Sequence, residues 1–150
     1  MGFLGGQRIR KFHQKRSGKS LRPRRGFSRG KRFFEEYVRE AVDSLPGELK
    51  KRLENVAIIV EEESPSFSKE RYRGGHELLG LYHGISKKDR GFWYGNVLPD
   101  RIIIYRRPLE RISSSLSDLQ ENIRQTVFHE VGHYFGFDEE ELRSLERNSL

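Results

Sequence analysis

A chain of 150 residues, 34% of them hydrophobic, fits one ordinary domain with a modest core and some chain left outside it. With no cysteine, disulfides and thiolate metal sites are excluded; with no apolar run approaching the ~18 residues of a membrane span and no secretory signal, a soluble cytoplasmic protein is expected. The net charge of +7 is unevenly placed: residues 1–32 carry 12 Lys and Arg and no acid, whereas residues 33–150 carry the other 17 basic residues against all 22 acidic ones.

Residues 1–32 are dominated by Gly, Ser, Arg and Lys and hold no sustained period, so they read as a disordered basic tail. Such a tail suits nucleic acid or another polyanion through counterion release, or is merely solvated. Residues 33–150 read as the folded domain. Phe33, Phe34, Tyr37, Val38, Ala41, Val42 and Leu45 fall on one helix face. Pro46-Gly47 breaks that helix, and Leu49 and Leu53 suit a short second one. Val56 to Val60 (VAIIV) reads as a buried strand. Residues 61–76 read as a polar loop. Leu78 to Gly84 suits a second strand, Phe92 to Tyr94 a short third, and Arg101 to Arg106 (RIIIYR) a clear fourth.

The next helix is well marked. Ser117 with Gln120 three residues on has the form of a capping box, and Leu119, Ile123, Val127, Val131 and Phe135 make an apolar stripe. Gly136 stands where a helix ends. A short acidic helix from Glu139 to Arg147 closes the pattern. The expected fold class is α+β, a small mixed sheet packed by helices.

Chemistry concentrates in TVFHEVGHYFGFDEEEL, residues 126–142. His129 and His133, four apart on a helix, project side by side and can hold one divalent ion at ~2.0–2.1 Å per bond. Glu130 between them is placed to serve as general base toward a water activated by that ion. A third ligand is expected from the acidic turn after Gly136; Glu139, ten residues after His129, is favoured and Asp138 is its close rival. Tyr82, His83, Tyr94, Tyr105 and Tyr134 are candidates to stabilise a developing oxyanion, with packing as the alternative for each. Residues 101–106 would receive an extended peptide if their edge were free.

The stretches LGLYHG, LPDRIIIYRRPL and the HExGHxFGxxxEEL pattern resemble the zincin metallopeptidases, and in particular the small bacterial zincin-like metallopeptidases, over roughly residues 33–146. The resemblance implies a compact zincin-like fold with HExxH on a helix of the C-terminal half. It also implies one zinc ion held by His129, His133 and an acidic residue near Glu139, with Glu130 as the base. The metzincin branch has a third histidine where this chain has Glu139, and a methionine turn where this chain has no methionine beyond Met1. The expected activity is zinc-dependent hydrolysis of a peptide or protein substrate. The alternative is a non-enzymatic, metal-stabilised module whose basic tail docks on nucleic acid or another polyanion.

Overall fold

The computed structural model describes residues 8–15, 30–65, 76–91 and 99–148. The rest of the basic tail before residue 30 and the strand expected at Phe92–Tyr94, with candidate Tyr94, lie outside the described residues. In chain order the elements are β1 (Arg8–Lys15), α1 (Lys31–Asp43), α2 (Gly47–Lys51), β2 (Val56–Glu61), β3 (His76–Gly84), a 3-10 turn (Lys87–Asp89), β4 (Asp100–Tyr105), α3 (Arg106–Ile112), α4 (Leu116–Phe135) and α5 (Glu139–Asn148). The α+β class is as expected. The sheet runs β1-β3-β4-β2, with β2 parallel to β4 and the other two pairings antiparallel.

One face of the sheet carries the main core. Ile102 and Ile104 of β4 and Leu79 and Tyr82 of β3 meet Ile123, Val127 and Val131 of α4, and Phe34, Val38 and Ala41 of α1 cover that helix from outside. Those on α1 and α4 are the apolar positions that recur at helical steps in the sequence, and each of the core residues named is at most 5% exposed. Leu78, Ile103 and Tyr105 form a smaller cluster. No helix among the described residues is long and apolar enough to cross a membrane.

Several elements differ from the sequence reading. VAIIV is half-buried rather than buried: among the described strands β2 pairs with β4 alone and stands at the sheet edge. RIIIYR is cut at Tyr105: Arg106 opens α3, with Pro108 in the first turn, where a missing N–H is tolerated. The cap of α4 is Ser115, not Ser117. Ser115 has extended backbone and its hydroxyl accepts from the Asp118 N–H at 3.0 Å, while the Asp118 carboxylate accepts from the Ser114 N–H at 2.8 Å. Residues 8–15, expected to be disordered, form β1. Their backbone pairs along the edge of β3, a long-range contact that local composition does not signal.

Residues 62–65, the described part of the expected polar loop after β2, are irregular, and their acids form ion pairs. Glu62 takes Arg106 at 3.0 Å and Glu63 takes Arg111 through two bonds of 2.7 and 3.0 Å. Arg111 also pairs with buried Glu77, which ties α3 to β3.

A second polar network sits at the far end of β3. Asp100 Oδ2 accepts from the Tyr82 hydroxyl and from Arg90 Nη2, both at 2.6 Å. The Arg90 guanidinium lies 4.9 Å from the Tyr134 ring centroid, and the Tyr134 hydroxyl donates to Glu54 O at 2.7 Å. The side chains of Arg90 and Asp100 are 9% and 4% exposed, so deleting Arg90 takes the cation from beside a buried carboxylate. Arg90→Ala is expected to lower unfolding free energy by about 3–5 kcal/mol, read from the urea midpoint with an unchanged m-value.

Candidate metal centre

The site is made where α4 ends. Gly136 takes φ 87 and ψ 17, a left-handed conformation that suits glycine, and its N–H bonds His133 O at 3.0 Å. Phe137 N–H bonds Gly132 O at 3.0 Å, completing the C-terminal lock. The chain reverses and α5 starts at Glu139. Asp138 caps α5 reciprocally: its Oδ1 accepts from the Glu141 N–H, and Glu141 Oε2 accepts from the Asp138 N–H, each at 2.8 Å. The Asp138 carboxylate is therefore spent on the helix start.

Glu139 is the acid brought to the histidines. Its Oε1 lies 3.1 Å from His129 Nε2 and 3.4 Å from His133 Nε2. The imidazole centroids are 4.7 Å apart at an interplanar angle of 84°. One donor atom from each of the three residues falls within 4.8 Å of the other two, and this is the one such grouping of His, Asp and Glu found among the described residues. A tetrahedral ion with bonds of ~2.0–2.1 Å separates its donors by about 3.3 Å, so the spacing of this set fits one small divalent cation. His129 and His133 are buried, whereas the Glu139 side chain is 55% exposed, so the centre opens to solvent on the α5 side.

Close packing of α5 on α4 sets this geometry. A Cβ built on Gly132 would lie 2.0 Å from Leu142 Cδ2, and Leu142 is 1% exposed. Gly132 is thus needed between the two histidines so that α5 can approach. In Gly132→Ala the gain in helix propensity, about 1 kcal/mol, is offset by overpacking of about 1–3 kcal/mol. Leu142 and Glu139 lie three apart on α5, so displacing one moves the other. Zinc affinity of Gly132→Ala is expected to fall about tenfold by calorimetric titration, with helix content by circular dichroism unchanged.

Glu130 is fully buried on the face of α4 that meets β3. A Cβ on Gly80 would lie 3.1 Å from Glu130 Cγ and 2.8 Å from Thr126 Cγ2, so this glycine of β3 makes the seat for that part of the helix. Nothing in the sequence around Gly80 marks that role, since it arises from a contact 50 residues away in the chain.

The other candidates divide clearly. The hydroxyls of Tyr82 and Tyr134 are committed to Asp100 and to the Glu54 backbone. His83 Nδ1 lies 3.4 Å from Arg101 Nη2. Burial, followed by the Glu61 and Glu130 carboxylates, pushes the Tyr105 phenol up to about 12, which keeps it protonated. The edge of residues 101–106 is not free, because β4 is paired by β3 on one side and β2 on the other.

The sequence profile of the family described as zincin-like metallopeptidase matches residues 53–149. No curated protein matches the chain.

Proposed function

The chain belongs to the zincin-like metallopeptidase family, and on that premise we propose that it hydrolyses peptide bonds with one zinc ion held by His129, His133 and Glu139, and with Glu130 as general base. The observation that carries this reading is the convergence of the two imidazole Nε2 atoms on one Glu139 oxygen, at 3.1 and 3.4 Å, the spacing of donors around a single ion. Donors of this type accept several divalent metals, and zinc is favoured by the family and by the chemistry. When bound, the ion lowers the pKa of a coordinated water to ~7 and polarises the scissile carbonyl.

The chain's own residues do the rest. Glu130, next to His129 in the chain but outside the donor set, takes the proton of the attacking water on its carboxylate and returns it to the leaving amine nitrogen. Its complete burial excludes bulk solvent and strengthens its electrostatic interaction with the centre. The histidines, buried and fixed on one helix, hold the donor geometry, and exposed Glu139 leaves an open side through which a peptide reaches the reacting atoms.

The test is a mixed-sequence peptide library incubated with the full chain, with zinc and after chelation, and read by mass spectrometry. New termini are expected only in the zinc-loaded sample. Zinc-loaded protein that leaves every peptide intact contradicts the peptidase reading.

A further inference from the structure

The end of α4 is held by more than its own reversal. The 3-10 turn between β3 and β4 packs on it and meets three consecutive residues in order. The Arg90 guanidinium lies over the Tyr134 ring, and Lys87 Nζ lies 5.9 Å from the Phe135 ring centroid. A Cβ built on Gly136 would lie 2.6 Å from Lys88 Cβ and 3.2 Å from Ser86 Oγ. Glycine at 136 is thus required twice, by its positive φ and by the turn set against it. The turn is closed by its own polar groups. Ser86, 1% exposed, donates its hydroxyl to Asp89 Oδ2 at 2.7 Å, the Asp89 N–H bonds Ser86 O at 2.9 Å, and Arg90 Nε donates to Ile85 O at 3.1 Å. It is anchored outside itself where Lys87 Nζ donates to Arg52 O and Arg90 to Asp100 of β4.

Glu139 differs from the two histidines in what places it. His129 and His133 keep their spacing through the geometry of one helix, which the turn does not set. Glu139 stands three residues beyond Gly136 and its side chain is 55% exposed, so its place depends on the path of the reversal. Leu142 holds α5 against Gly132 on one side of that reversal, and the turn holds Gly136 on the other. We infer that Ser86 and Asp89 are positioning residues of the metal centre: they fix the reversal at Gly136 and thereby set Glu139 at the distance of a third donor from the imidazoles. The inference rests on His129, His133 and Glu139 being the ligands, and not on peptide cleavage.

The probe is Co2+, which nitrogen and oxygen donors accept in place of zinc and whose visible absorption reports its coordination. It is titrated into the metal-free full chain. Asp89→Ala removes the acceptor of the Ser86 hydroxyl at an exposed position. Its Co2+ affinity is expected to fall about tenfold, the low end of the ~10–100-fold loss for an outer-shell partner, with the absorption weakened toward that of Glu139→Ala. Asp89→Asn keeps an acceptor oxygen and is expected to restore both. In a Glu139→Ala background, Asp89→Ala is expected to cost no further affinity, because the group it acts through is already gone. If Asp89→Ala fails to fold, Lys88→Gly serves instead, with the same losses expected: it removes the Cβ nearest Gly136, again from an exposed position. Wild-type affinity and absorption in the variant, or an equal loss with and without Glu139, overturns the inference and leaves the ligand set standing. A wild-type chain that takes up no Co2+ defeats the ligand reading, and this inference with it.

Discussion

Glu130→Gln is expected to lower the rate of peptide cleavage by about 10²–10⁴-fold while zinc stays bound with unchanged affinity. The substitution keeps shape and removes only the capacity to take a proton. Because Glu130 is fully buried and lies outside the donor set of His129, His133 and Glu139, losing its charge removes no ligand and adds no buried ion. The loss should therefore fall on kcat and leave KM nearly unchanged, since the interaction is made in the transition state. Steady-state kinetics beside a calorimetric zinc titration separate the two effects. A variant that loses zinc together with activity would make Glu130 a structural or ligating group instead of the base.

The second large effect is on the ligands. His133→Ala removes one of the three candidate donors from a site 3% exposed at that residue, and among the described residues no other His, Asp or Glu joins the set. Loss of an outer-shell partner costs ~10–100-fold in metal affinity, and loss of a ligand is expected to exceed that. The consequence reaches stability. A ligand at about 1,000 times its Kd stabilises the folded state by ~4 kcal/mol, so zinc should raise the wild-type Tm by roughly 10 °C or more and leave that of His133→Ala nearly where it was. The same scan separates the two neighbouring acids. Glu139→Ala should lose most of the zinc-induced rise. Asp138→Ala should keep it and lower the metal-free stability by about 1 kcal/mol, the worth of a helix cap.

That pair of acids also marks how far local reading goes. His129, Glu130, His133 and Gly136 are legible because helical spacing and a helix end are local properties, and the structure brings the two imidazoles together as the four-residue step implies. Asp138 and Glu139 sit in the same turn, and only the partner of each carboxylate distinguishes them. Asp138 bonds the Glu141 N–H, an interaction that exists once α5 begins at Glu139 and not one residue later. In the run SSSLSD two serines have a plausible cap pattern, and the extended backbone of Ser115 decides between them.

Non-local pairings were out of reach for the same reason. The apolar pattern of β4 announces a strand but not that both its edges are taken, and the polar pattern of β1 gives no sign of the β3 edge that organises it. The acids Glu62 and Glu63 read as solvent-facing, and they are, but their partners Arg106 and Arg111 come from α3, far along the chain. Local period and capping chemistry carry the helices and the turn that holds Asp138 and Glu139, whereas sheet order and ion-pair partners depend on contacts closed by the whole fold.

The most direct test of the proposed centre is zinc X-ray absorption on the zinc-loaded full chain, compared with His133→Ala. The expected wild-type spectrum has a four-coordinate nitrogen and oxygen shell at ~2.0–2.1 Å with outer scattering from two imidazoles, reduced to one in the variant. A six-coordinate oxygen shell without imidazole scattering, identical in both proteins, would contradict it.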